Sequence, residues 1–318
     1  MGGKMSMNTR KGAVGVHLFA VLTAAATLLL IIAGALVVGN DAGLSVPDWP
    51  LSYGTWMPPM EGGVFYEHGH RMVATSVGFL TVVLAIWLWR GEPRRWVRRL
   101  GLLAVVAVIV QGVLGGITVL YLLPTPISVG HACLAQAFFC LMLSLALFTS
   151  SAWNDPFESL EDTQVPAFRH LCAATAVAVF VQLILGATLR HKALGLTPHL
   201  IWASVVTLLV AWVVSRSAML RAEHPLLRKL TVGLASILIG QLLLGLGSYL
   251  LQPAVHAHAS AHHAVQPEPL TVWITTAHVA IGALLLGISW VLTLLAYRRL
   301  SAPKRVLSLA GSPEKTLA

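Results

Sequence analysis

Charge is what this sequence most lacks. Only 10% of its 318 residues are Asp, Glu, Lys or Arg, against roughly a quarter in a soluble domain. Hydrophobic residues make up 57%, and mean hydropathy is +0.78. These values exclude an ordinary water-soluble globule. Cysteine is scarce too: Cys133, Cys140 and Cys172 are the only three. All fall inside apolar stretches, so buried packing is their simplest role and no disulfide framework is implied. Acidic residues number 12 against 21 Lys and Arg, for a formal net charge of +9 and a pI near 9.9. In a soluble chain that balance would suggest nucleic acid. Here the basic residues gather in a few connections between apolar runs, and no nucleic-acid partner is expected.

What is present in quantity is the long uncharged run. Stretches of about 18 or more residues, enough to cross a hydrocarbon core of roughly 30 Å, occupy approximately 16–39, 72–89, 100–123, 126–149, 171–189, 196–215, 230–251 and 270–297. The expected fold is therefore an all-α integral membrane protein with eight transmembrane helices. Lys4, Arg10 and Lys11 precede the first span. Arg90, Arg94, Arg95, Arg98 and Arg99 join the second to the third, Arg216, Arg221, Arg228 and Lys229 the sixth to the seventh, and Arg298, Arg299, Lys304 and Arg305 follow the eighth. By the positive-inside rule these segments are cytoplasmic, as are both termini, and the connections at 40–66, 124–125 and 252–270 face outward. The opening apolar run exceeds the 7 to 15 residues of a signal-peptide core and reads as an uncleaved first helix.

Three spans share a phrase, "QGVLG" from Gln111, "QLILG" from Gln182 and "QLLLG" from Gln241, while the first span has "LIIAG" in the corresponding place. Gln inside a membrane needs a partner, and Gly admits a close neighbour, either another helix or a flat ligand. Gln111 to Gln241 is 130 positions and His70 to His199 is 129, which points to a duplicated four-helix unit. Longer outer loops account for the slips of 147 between His131 and His278 and 152 between Gly34 and Gly186. Two copies of the same orientation imply a parallel repeat of small helix bundles, each with a core able to hold a cofactor.

Thirteen histidines fall into groups. His17, His170 and His224 sit at cytoplasmic ends. His256, His258, His262 and His263 lie in the outer "HAHASAHHAVQPEP" segment, readable either as a flexible polar tract or as a metal site. His70, His131, His199 and His278 differ from these: each stands within the first two turns of an even-numbered span, and all four spans enter from the outer face. They share one depth. A lone intramembrane His is commonly a packing residue, but four at equivalent positions of a repeat suit a haem iron gripped from both sides better than zinc, which wants thiolates, carboxylates or further His. Glu67 lies three residues before His70, on the same face of a helix that begins there. Helix-dipole stabilisation is its other reading. Arg71, Arg190 and His191 are candidates for pairing with haem propionates, with interfacial snorkelling as the alternative. His68 faces away from Glu67 and His70 and has no evident role.

Taken together, "GLSVPDWPLSYG" from Gly43, "EHGHR" from Glu67, "GH" at His131, "GATLRH" to His191, "TPH" at His199 and "TAH" at His278 resemble the haem A synthase family over nearly the whole chain. The resemblance implies two pseudo-symmetric four-helix bundles related by a pseudo-two-fold axis. It implies that His70 and His131 ligate the substrate haem O and that His199 and His278 ligate a haem b cofactor. Glu67 would be the outer-loop carboxylate needed for activity, giving Glu67, His70 and His131 as the catalytic set. The implied reaction oxidises the C8 methyl of haem O to a formyl group by successive hydroxylations, making haem A for cytochrome oxidase in a bacterial cytoplasmic membrane. Implied partners are haem O, a haem O synthase, the cytochrome oxidase assembly machinery and the lipid bilayer, with homo-oligomerisation left open. One departure stands out: where many members carry a cysteine pair in the first outer loop, this chain has Val46 and Ser52. Asp48 and Trp49 remain in that loop, Trp49 reading as an interfacial anchor.

The expected organisation is a tail at 1–15, an N-terminal half at 16–150 with the substrate site, a linker at 151–168, a C-terminal half at 169–300 with the cofactor site and a tail at 301–318. Two other classes compete. A dihaem membrane cytochrome b carrying electrons across the bilayer would place histidines at two depths. A non-enzymatic haem transporter or assembly factor would not need four equivalent histidines.

Overall fold

The computed structural model describes residues 2–157, 159–219, 225–258 and 268–301. His224, His262 and His263 lie outside the described residues, as do the side chains of His256 and His258, so the outer His-rich segment is not characterised. In hydrocarbon every backbone N–H and C=O must find its partner within the chain, which leaves the helix as the solution for these apolar runs. The helices are α1 (Gly2–Gly39), α2 (Gly62–Gly91), α3 (Arg95–Leu120), α4 (Thr125–Thr149), the single turn α5 (Ser151–Asn154), α6 (Phe168–Arg190), α7 (Leu196–Met219), α8 (Pro225–His258) and α9 (Pro269–Arg299). All but α5 are long and apolar enough to cross a membrane. Short strands β1 (Leu160–Glu161) and β2 (Leu300–Ser301) pair in parallel at the end where α6 begins and α9 finishes.

Local sequence sets the helix ends. Pro126 and Pro269 occupy the first turns of α4 and α9, where a missing N–H removes no hydrogen bond. Arg90, Arg190, Arg216, Arg298 and Arg299 lie in last turns, facing the negative end of the helix dipole. Helix α2 starts ten residues before the uncharged run at 72, so Glu67, His68, His70 and Arg71 all lie on the helix proper. The turns after α3 and α6 close alike. The Leu123 N–H donates to the Thr118 carbonyl at 2.7 Å, and the Ala193 N–H to the Thr188 carbonyl at 2.8 Å.

Helices α1 to α4 close on one another as a ring, α1 against α2, α2 against α3, α3 against α4 and α4 against α1. So do α6 to α9. The rings meet through α1 with α9, α4 with α6, and α4 with α9, a set unchanged when α1 is exchanged with α6 and α4 with α9. Each ring has its own apolar core, with Val77, Leu84, Met142 and Leu145 in the first and Leu171, Val210, Leu234 and Leu292 in the second. Burial follows this plan, at 50% and 56% of the membrane stretches of α4 and α9 but 17% for α3, α7 and α8. At the junction Gly287 of α9 lies so close to α4 that a Cβ there would meet Leu143 at 2.7 Å. Trp290 donates from Nε1 to Ser144 Oγ at 2.8 Å across the same seam.

Candidate functional site

The four histidines singled out by the sequence stand in early turns of α2, α4, α7 and α9, each half-buried and each laid against a glycine of the preceding membrane helix. A Cβ on Gly34 would come within 3.1 Å of His70 Cε1. The corresponding distances are 3.3 Å for Gly115 and His131, 3.2 Å for Gly186 and His199, and 3.1 Å for Gly245 and His278. A methyl group at any of these positions would make the imidazole give by a few tenths of an ångström. That is the reason for the glycine in the repeated phrase.

The glutamine sits one turn earlier on the same helix face and meets the same histidine. Gln111 Nε2 donates to the His131 carbonyl at 3.0 Å and lies 3.4 Å from His131 Nε2. Gln182 Nε2 donates to the His199 carbonyl at 3.0 Å and lies 3.2 Å from both ring nitrogens. Gln241 Nε2 is 3.3 Å from His278 Nε2. In α1 the equivalent residue is Leu30, so His70 has the glycine shelf without the amide.

His199 and His278 face each other with ring centroids 6.4 Å apart and planes inclined at 67°. A metal–imidazole bond of about 2 Å, plus about 1 Å from nitrogen to ring centre on each side, asks for about 6 Å between centroids. The pair therefore fits bis-imidazole ligation of an iron. Among the described residues there is no cluster of three or more His, Cys, Asp or Glu that could hold a metal ion. His70 and His131 are within electrostatic reach of one another. Buried nitrogens without a partner occur at Nδ1 of His70, His131 and His278. Such unpaired polar atoms in an apolar bundle are what a ligand-binding core retains.

Glu67 and Arg71 do not stand free. Glu67 is 4% exposed; its Oε2 accepts the Val46 N–H at 2.9 Å and its Oε1 accepts Arg71 Nη2 at 2.6 Å. Arg71 Nη1 donates to the carbonyls of Asp48 and Leu51, both at 2.8 Å, and to Ser52 Oγ at 3.3 Å. His68, without a role in the sequence reading, has Nδ1 2.8 Å from Ser52 Oγ. The loop is further tied by Asp48, whose carboxylate accepts the Tyr53 and Gly54 N–H groups. The Gly54 bond foremost holds that carboxyl below its usual range. Trp49 lies flat on α3 at Gly116, where a Cβ would come within 2.6 Å of the indole. Trp49 remains 40% exposed beside that contact, and the Gly115–Gly116 pair is the sequence signal for the contact.

Arg190 and His191 end α6 between the two rings. Arg190 Nη2 donates to the Ala35 carbonyl of α1 at 2.8 Å and lies within electrostatic reach of His278. His191 lies within reach of His131 in the other half. Burial, with the neighbouring Arg190 charge, pushes His191 below the usual imidazole range, so it is neutral at pH 7.

Residues 60–198 match the COX15-CtaA family, described as cytochrome oxidase assembly proteins. The match covers Glu67, His70, His131, Arg190 and His191 and stops one residue before His199. A short match to YSIRK-type signal peptides falls at 227–245, inside α8, where Arg228 and Lys229 precede an apolar run. Among curated proteins, the heme A synthase of Symbiobacterium thermophilum is 31% identical over 173 residues, 52% of this chain and 56% of the relative. That of Shouchella clausii is 30% identical over 184 residues, 56% and 60% respectively. That of Roseobacter denitrificans is 36% identical over 130 residues, 37% and 34%. The matched stretches thus span about half the length of these relatives. Over these stretches the chain is similar to haem A synthases and to the COX15-CtaA proteins.

Proposed function

We propose that this protein is a haem A synthase, an enzyme that oxidises the C8 methyl of haem O to a formyl group by successive hydroxylations. The observation that carries the reading is the fourfold glycine-backed histidine, arranged as one pair in each helix ring. His199 and His278 would hold a resident haem b. When bound, that haem supplies the redox chemistry that side chains alone lack. His70 and His131 would grip the substrate haem O, with Gly34 and Gly115 keeping the ring positions and Gln111 fixing His131. Arg190 and His191, between the rings, would meet propionates, Arg190 as a cation and His191 as a neutral donor. Arg71 gives its terminal nitrogens to the loop and Glu67, leaving Nε–H for such a contact.

The two rings read as pseudo-symmetric halves, at 16–150 and 169–300, because their neighbour relations survive exchange of the halves. The distribution of Lys and Arg puts both termini on the cytoplasmic side of a bacterial membrane, with the four histidines near the outer face. A haem O synthase would supply the substrate, and the cytochrome oxidase assembly machinery would take the product. Expressing the chain with a haem O synthase in cells lacking haem A, then separating the extracted haems by chromatography, tests this reading. Hydroxylated haem O or haem A is expected. Haem O alone, from cells that hold the folded protein, would refute it.

A further inference from the structure

We propose that Glu67 is a positioning residue: with Arg71 and His68 it clasps the loop at 46–52 so that Trp49 is held on α3 at Gly116, the residue after the glycine that carries His131. The proposal rests on the haem A synthase reading for its activity test, but its structural part stands on geometry alone. Both carboxylate oxygens of Glu67 are engaged, one by the Val46 backbone and one by Arg71. Arg71 in turn holds the backbone carbonyls on either side of Trp49–Pro50, and His68 holds Ser52. Val46 and Ser52, the two points that the clasp grips, are buried at 0% and 1% exposure, while Trp49 between them stays 40% exposed.

What the clasp presents is the Trp49 indole. A Cβ on Gly116 would lie 2.6, 2.8 and 2.9 Å from indole Cδ2, Cε2 and Cε3, so the ring rests on bare backbone. The preceding residue, Gly115, carries His131 in the same manner. Indole and imidazole thus rest on successive residues of α3, whose side-chain directions differ by about 100°. Glu67 then acts on bound substrate through the loop, with no need to touch a reacting atom.

The test uses full-length protein carrying Val46→Cys, since Glu67 binds the backbone at 46 and the substitution spares the clasp. The native cysteines lie inside membrane helices, and the chain without the new thiol gives the background. A membrane-impermeant maleimide should label position 46 slowly when Glu67 is intact. With Glu67→Ala, loss of a charge-assisted bond should speed labelling about tenfold or more. Glu67→Gln keeps an acceptor for the Val46 N–H, so labelling and turnover of haem O should move together, both retained or both lost. Trp49→Ala and Gly116→Ala should cut turnover about as far as Glu67→Ala does while the thiol at position 46 stays protected. Glu67→Gln that is as inactive as Glu67→Ala, with that thiol still protected, would overturn the proposal in favour of proton transfer. Unchanged labelling in Glu67→Ala would overturn the clasp itself. If the parent chain converts no haem O, the functional reading fails, and the labelling arm still decides the clasp.

Discussion

The two helix rings back their histidines with the same glycine, yet the polar partner is a glutamine amide for three of them and a backbone group for the fourth. In the C-terminal ring both imidazoles have a glycine shelf and a glutamine amide, through Gly186 with Gln182 and Gly245 with Gln241. In the N-terminal ring His131 has both, whereas His70 has Gly34 and, in place of an amide side chain, a hydrogen bond with the Leu30 backbone. The N-terminal ring carries in exchange a structured outer loop, bound through Glu67, His68 and Arg71. Under the proposed function the rings differ in the groups behind each histidine, where metal affinity would be tuned. In that proposal the ring with two glutamine-backed histidines would keep its haem, and the ring beside the clasped loop would take the substrate.

The comparison can be broken most sharply at Glu67. Glu67→Ala should lower turnover by about a hundredfold or more, as expected for loss of substrate orientation, while haem b content measured by pyridine haemochrome stays unchanged. Loss of haem b from this variant would show that the halves are not separate sites. Next come the shelves: Gly245→Ala should displace His278 and reduce haem b retention about tenfold or more, and Gly115→Ala should do the same for haem O uptake only. Haem content resolved by type after extraction checks each. Gln182→Leu should weaken haem b retention by about tenfold, an effect readable as faster transfer to an acceptor apoprotein. The smallest effect belongs to the seam between rings. Trp290→Phe removes one hydrogen bond to Ser144, costs about 1 kcal/mol, and should lower thermal stability without favouring either haem.

Much of this arrangement is legible in the sequence. Eight spans follow from hydropathy, because lipid imposes helices on apolar runs, and the ligand candidates follow from four histidines at one depth. The phrase Gln-x-x-Leu-Gly even marks which residues hold them, since amide and glycine fall on one helix face. The start of α2 is less legible: the charged cluster of Glu67 to Arg71 looks like a helix boundary, but the loop satisfies those groups and the helix begins at Gly62. Contacts between distant segments carry no local signal. Ser52 with His68, Trp49 with Gly116 and Arg190 with Ala35 are set by how the rings and the loop dock, which spacing along the chain does not encode. The roles of Arg71 and His68 are opaque in the sequence for that reason.

The central claim is that two rings built alike serve two different haems. Its most direct test is to count haems by type in protein purified from cells that also make haem O, comparing the double variant His70→Ala with His131→Ala against His199→Ala with His278→Ala. The account predicts that the first double variant keeps haem b and loses haem O and its oxidised products, and that the second loses haem b. Loss of the same haem from both, or retention of both haems by either, would contradict it.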